Sequence, residues 1–122
     1  MIEIRRDDFS VDAAVEKMQS PRVGAILTYT GTVREFLQGE GLEFEEDKSA
    51  AQRLEDIRKR AMDKFDVEDI AIIHRIGFLG ISENILLVAV SAPYRGAAFD
   101  ACQFVIDEIK DLHKSWAREV KK

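Results

Sequence analysis

Apolar and polar positions recur along this chain with two different periods, and each change of period marks a new element. "MIEIR" alternates and predicts a short strand. "SVDAAVEKMQS" then switches to helical spacing. Val11, Ala14, Val15 and Met18 share one side, Ser10 is placed to cap the start, and Pro21 stops the helix. Residues 23–33, "VGAILTYTGTV", are rich in β-branched and aromatic side chains and predict a strand. "LQGEG" predicts a mobile loop, and "LEFEED" alternates again with Leu42 and Phe44 inward. "KSAAQRLEDIRKRAMDKF" is an amphipathic helix through Ala51, Leu54, Ile57, Ala61 and Phe65. "VEDIAIIHRIGFLG" predicts one strand and "ENILLVAVSAP" the next, with "LGISEN" joining them as a hairpin. A last helix starts near residue 96 and runs almost to the end. Its core stripe is Ala98, Cys102, Val105, Ile109, Leu112 and Trp116.

The order is therefore βαββαββα. Neighbouring strands in sequence imply hairpins, so the expected class is α+β, with a largely antiparallel sheet and the helices packed on one face. No repeat, low-complexity segment or linker divides residues 1–122, which read as a single domain.

Composition narrows the functions this frame can carry. The chain has 122 residues, enough for one core, with 46% hydrophobic and 34% charged residues, as in ordinary globular proteins. A net charge of −5 argues against nucleic acid as a partner, although a local basic pocket is compatible with it. No stretch approaches the ~20 apolar residues of a membrane span. "MIEIRRDDF" is charged from the start and lacks a signal-peptide core, so the expected compartment is the cytoplasm. One cysteine excludes an internal disulfide and a cysteine-based zinc site.

Four basic residues stand at predicted strand ends: Arg34, His74, Arg75 and Arg95. Each alone is a surface ion-pair partner; together they outline an anion pocket, with Arg95 best placed because a helix opens its unpaired N–H groups beside it. Lys110 borders the buried face of the last helix. There it either reaches out to solvent or is partly desolvated and useful as an acid, base or nucleophile. Cys102 lies inside the core stripe and reads as an inert buried thiol. Five acidic residues between positions 40 and 47 read as a solvated strand face. His74 and His113 are far apart in sequence, and no spacing supports a metal site, so none is assigned. There is no GxGxxG and no Walker A motif.

"YTGTVR", "LEFEEDKSAAQRLEDI", "AIIHRIG", "VSAPYRGAAFDACQFVIDEIK" and "WARE", in this order and spacing, resemble the large, catalytic subunits of molybdopterin synthase. The resemblance covers about residues 23–119. It implies an α/β hammerhead fold and a homodimer. It also implies a partner, a small ubiquitin-like sulfur carrier whose C-terminal Gly-Gly thiocarboxylate enters a pocket on the large subunit. There sulfur passes to cyclic pyranopterin monophosphate, and two transfers complete the dithiolene. Neither a redox cofactor nor a catalytic cysteine is implied. Carried over residue by residue, Lys110 matches the catalytic lysine. Thr32, Val33 and Arg34 of "YTGTVR", the pair Tyr94 and Arg95, and Ala117, Arg118 and Glu119 of "WARE" match positions that bind the substrate phosphate and the incoming tail.

The chain departs from the family pattern in several places. Tyr94 replaces the usual histidine, exchanging a group that titrates near neutrality for a phenol. Ala117 replaces a second lysine, and a tail carrying a further tryptophan does not follow. Lys114 takes the place of a proline. Without that proline the helix is expected to continue, placing Lys110, Lys114 and Ala117 on one face and letting Lys114 supply the missing charge; the alternative is that Lys114 is simply solvated. Three functions follow: the sulfur-inserting enzyme, a non-catalytic homologue that keeps the fold and the carrier docking, or an unrelated α+β ligand-binding domain.

Overall fold

"DIAIIHR" has no polar face because it is covered on both sides. The structure, a computed structural model, describes residues 1–122. This run forms β4 (Asp69–Arg75), an inner strand of a sheet ordered β1-β4-β6-β2, with β1 (Ile2–Arg5), β6 (Asn84–Ala92) and β2 (Ala25–Thr32). Ile70 and Ile72 of β4 and Val88 and Val90 of β6 point into the main core. That core is closed by α2 (Lys48–Lys64) and α3 (Arg95–Trp116). Ala71, Ile73, Leu87 and Ala89 point the other way, onto Ala14 and Met18 of α1 (Val11–Met18). The expectation of helices on one face is thus corrected. An inner strand with both faces apolar needs a layer on each.

The helices follow their patterns. Ser10 caps α1, its Oγ accepting from the Ala13 N–H at 3.2 Å, and Asp47 caps α2 through the Ser49 N–H at 2.9 Å. In α2 the buried side is Ala50, Leu54, Ile57 and Ala61; Ala50 takes the place expected of Ala51, one position earlier. The expected stripe of α3 is buried throughout and gains Ala101.

The second sheet, β5-β3-β7, was not foreseen. It consists of β3 (Gly39–Phe44), β5 (Gly77–Gly80) and β7 (Ala117–Lys121), with β3 in the middle and both pairings antiparallel. Residues 77–80 were expected to continue β4. Gly77 instead has φ +93, a conformation natural only to glycine, and there the chain turns out of the first sheet into the second. Consequently β5 and β6 do not pair as a hairpin; β4 pairs with β6. Both glycines of "LQGEG" lie within β3 rather than in a loop, and α3 stops at Trp116 so that Ala117 can begin β7. Four of the five strand pairings are antiparallel and one, β1 with β4, is parallel, in keeping with the α+β expectation. No helix is long and apolar enough to cross a membrane.

Candidate active site

The antiparallel register of β2 and β6 decides where the expected basic residues go. Ala25 faces Ala92 at one end of this ribbon, and Thr32 faces Asn84 at the other. Arg34 follows the Thr32 end and Arg95 follows the Ala92 end. Seven residue steps of about 3.4 Å separate Ala25 from Thr32, so the ends lie about 24 Å apart. Within one chain, Arg34 and Arg95 therefore do not converge. This corrects the single pocket expected of them.

Helix α3 crosses the gap. It begins at Arg95 and packs back along β6 and β2. At about 1.5 Å per residue, Lys110 lies about 22 Å along its axis. His113 bonds to His74, which faces Leu86, which in turn faces Gly31. The end of α3 that carries Lys110 is thus level with the Arg34 end of the ribbon. Tyr94 and Arg95, both exposed, stay at the far end. Tyr94 is the N-cap of α3 but makes no side-chain cap bond, so the first-turn N–H groups have no side-chain partner there.

At the near end, Thr32 and Arg34 are exposed while Val33 between them is 2% exposed. The Val33 N–H donates to the Glu83 carbonyl at 3.0 Å, and its own carbonyl accepts from the Ser82 N–H at 2.8 Å. The Val33 side chain is buried, and these two bonds fix the strand end from which Thr32 and Arg34 project.

Two of the four basic strand-end residues serve the fold instead. Arg75 donates to the carbonyls of Arg6 and Asn84 at 3.0 and 3.1 Å and pairs with Glu83 at 3.4 Å. His74 is wholly buried. Lys110 is exposed rather than partly desolvated. Lys114 is exposed too, and its ammonium lies 3.2 Å from Asp111. Ala117 leaves the helix with extended backbone angles, so it does not share a helical face with Lys110 and Lys114.

Ala117, Arg118 and Glu119 lie on β7 opposite Phe44, Glu43 and Leu42. Arg118 stands 3.9 Å from Glu43 and Glu119 stands 3.8 Å from Lys121. Beside them Glu43, Glu45, Glu46 and Asp47 rim a groove of about 320 Å³ that Ser115, Trp116, Ala117 and Arg118 complete. Its charge suits a cation better than a phosphate. A second groove, of about 440 Å³ and mainly apolar, lies between β2 and α3, lined by Leu27, Tyr29, Phe99 and Ile106 among others. Cys102 sits at its floor, and burial pushes its thiol up to about 11, which leaves no thiolate at neutral pH.

The pair that sequence reasoning missed is His74 and His113. Their Nε2 atoms stand 2.8 Å apart although 39 positions separate them in the chain. Its only local signal is that His113 sits four residues after Ile109 and three before Trp116, on the edge of the core stripe.

Known proteins resemble this chain in sequence and in fold. A family model described as MoaE protein matches residues 4–112. The molybdopterin synthase catalytic subunit of Pyrococcus abyssi is 39% identical over 118 residues, covering 93% of this chain and 80% of that protein. The crystal structure of molybdopterin synthase from Staphylococcus aureus superposes with a TM-score of 0.87 at 30% identity, covering 98% of this chain and 90% of that one. A Helicobacter pylori protein solved as a complex of subunits 1 and 2 of molybdopterin-converting factor shares the fold, with a TM-score of 0.75 at 20% identity, covering 89% and 77% of the two chains. With the matched model spanning most of its length and relatives of the same name alongside it, this chain belongs to the MoaE family, the catalytic subunits of molybdopterin synthase.

Proposed function

We propose that this chain transfers sulfur from the thiocarboxylated C-terminus of a small ubiquitin-like carrier to cyclic pyranopterin monophosphate, building the molybdopterin dithiolene. Each transfer forms a C–S bond at a pterin side-chain carbon as that carbon's C–O bond breaks, while the carrier's acyl C–S bond is exchanged for C–O and the carrier leaves as a carboxylate. The observation that carries this reading is that Arg34 and Lys110 stand at the same end of the β2–β6 ribbon in a chain of this family. Arg34 offers a planar guanidinium for the substrate phosphate, and Thr32 beside it offers a hydroxyl. Lys110 places an ammonium where negative charge develops on the acyl oxygen. Lys114, held at Asp111, stands one turn further on.

Arg95 and Tyr94 join this site from a second copy. β2 is an edge strand flanked by an apolar groove. Two copies related by a two-fold axis perpendicular to that edge run antiparallel. The Arg95 end of one then lies beside the Arg34–Lys110 end of the other. The enzyme in this reading is an active homodimer with a carrier bound to each copy, and no cofactor takes part. The Helicobacter pylori protein of this fold was solved together with a second subunit, an assembly of the kind proposed.

The test supplies purified chain, thiocarboxylated carrier and cyclic pyranopterin monophosphate, and measures dithiolene formation together with the mass of the spent carrier. Product with carrier carboxylate is expected. Carrier binding without either product would favour the non-catalytic homologue, and no binding at all would overturn the reading.

A further inference from the structure

The segment "AIIHRIG" ends an apolar strand on a histidine with no exposure to solvent, and the sulfur-transfer reading leaves that histidine without a task. Its contacts define its protonation. His74 Nδ1 lies 2.7 Å from the Arg75 carbonyl oxygen, which can only accept, so Nδ1 carries a hydrogen. Burial holds the ring neutral, lowering its pKa to about 3, so Nε2 keeps a lone pair. His113 Nε2 lies 2.8 Å from that lone pair and is therefore the donor. One pair of tautomers satisfies all three atoms.

The surroundings make the bond rigid. Phe44 sets its edge against His74 with centroids 4.8 Å apart and tilts against His113 at 5.1 Å. Trp116 lies over His74 with centroids 4.4 Å apart, and its Nε1–H donates to the Glu45 carbonyl at 2.8 Å. The last turn of α3 is thus tied at two points, to β4 through His113 and to the chain just after β3 through Trp116. Lys110 lies three residues before His113 on the same helix, close enough for its charge to oppose protonation of that ring. Lys114 sits on the next position and is drawn towards Asp111, away from any part in the bond.

We propose that the His113–His74 hydrogen bond positions Lys110, fixing the end of α3 against β4 so that the ammonium stands where the reacting acyl group arrives. The proposal rests on the reading of Lys110 as the catalytic lysine. His74 and His113 are positioning residues in it and touch no substrate. A lone histidine on a helix edge would not do this; the bond needs a second histidine buried in the correct tautomer on the facing strand.

Two substitutions separate the hydrogen bond from mere packing. His113→Phe keeps a ring and removes the donor, leaving the His74 lone pair buried and unpaired. His113→Gln keeps a side-chain N–H that reaches the same place. In sulfur transfer with the dimeric protein, His113→Phe is expected to lower kcat about ten- to a hundredfold with carrier affinity unchanged, and His113→Gln to recover most of the loss. Amide hydrogen exchange across residues 110–117 should speed up in the first variant and return in the second. Equal loss in both variants would show that only ring packing matters and would overturn the proposal, as would a wild-type kcat in His113→Phe. If the wild-type chain itself transfers no sulfur, the functional reading fails separately. The exchange measurement then decides the positioning claim, which falls if residues 110–117 are equally protected in wild type and His113→Phe.

Discussion

Arg34 and Arg95 cap opposite ends of one antiparallel ribbon, and a helix that starts at Arg95 returns Lys110 to the end where Arg34 stands. Two guanidinium groups so far apart can serve one phosphate only if they come from different copies. Arg34→Ala and Arg95→Ala should each be nearly inactive alone. Mixed and allowed to exchange subunits, they should regain about one quarter of wild-type turnover, because half of the dimers are then hybrids and each hybrid holds one intact site. Mixtures no better than the separate variants would place both arginines in the same copy's site or in none.

Lys110→Ala should lower the rate of sulfur transfer by about 10²–10³, the usual cost of losing an electrostatic stabiliser, with carrier binding retained. Lys114→Ala should stay within about threefold of wild type, since its ammonium is exposed and already turned to Asp111. Single-turnover rates with saturating thiocarboxylated carrier distinguish the two. A large loss in Lys114→Ala would restore it as the source of the charge that Ala117 lacks.

The histidine pair also predicts how stability follows pH. Burial lowers His74 to about 3 and His113 to about 4, against 6.5 for an exposed histidine. Between those values the unfolded chain binds more protons than the folded one, so stability rises with pH through this window. It is complete above about 6.5 and declines as the pH falls towards 4. From pH 6.5 to pH 5 each ring accounts for about 2 kcal/mol. Urea midpoints measured across pH 4.5–7.5 should show this decline, and His113→Gln should flatten it. A wild-type midpoint that holds steady down to pH 5 would contradict neutral buried rings.

Cys102 should be dispensable for chemistry. Cys102→Ala is expected to retain full turnover while costing about 1 kcal/mol of stability from the small cavity left in the core. In the native protein the thiol should resist iodoacetamide at neutral pH and react once the chain is unfolded. Rapid modification with loss of activity would put a thiolate in the mechanism.

How much of this was legible depends on whether the signal is local. The stripe from Ala98 to Trp116 declared α3 because each residue's neighbour on the helix is three or four positions away, and all six proved buried. Ser10 announced the start of α1 for the same reason. The division of residues 69–80 between two sheets hangs on one backbone angle at Gly77, and an apolar run reads the same whether or not it bends there. The end of α3 at Trp116 was hidden because Ala117 is a strong helix former, and it begins β7 through a pairing with the distant β3. For the proposed site, the motif names Arg34 and Lys110. That they share an end of the ribbon, while Arg95 does not, follows from strand register. The His74–His113 bond likewise joins positions 39 apart, and no local pattern reports such a distance.

The three-stranded sheet has a consequence for the chain's birth. Its strands come from residues 39–44, 77–80 and 117–121, so no two of them are consecutive strands of the chain and none of its pairings closes as a local hairpin. On the ribosome β3 must wait for β5 to emerge and then for β7, while the four-stranded sheet can already be assembled from residues 2–92. The same pairing holds Ala117 opposite Phe44, at the very end of the helix that carries Lys110. A nascent chain would therefore possess a folded scaffold before it possessed a working site, and competence would arrive with the closing of its last seam.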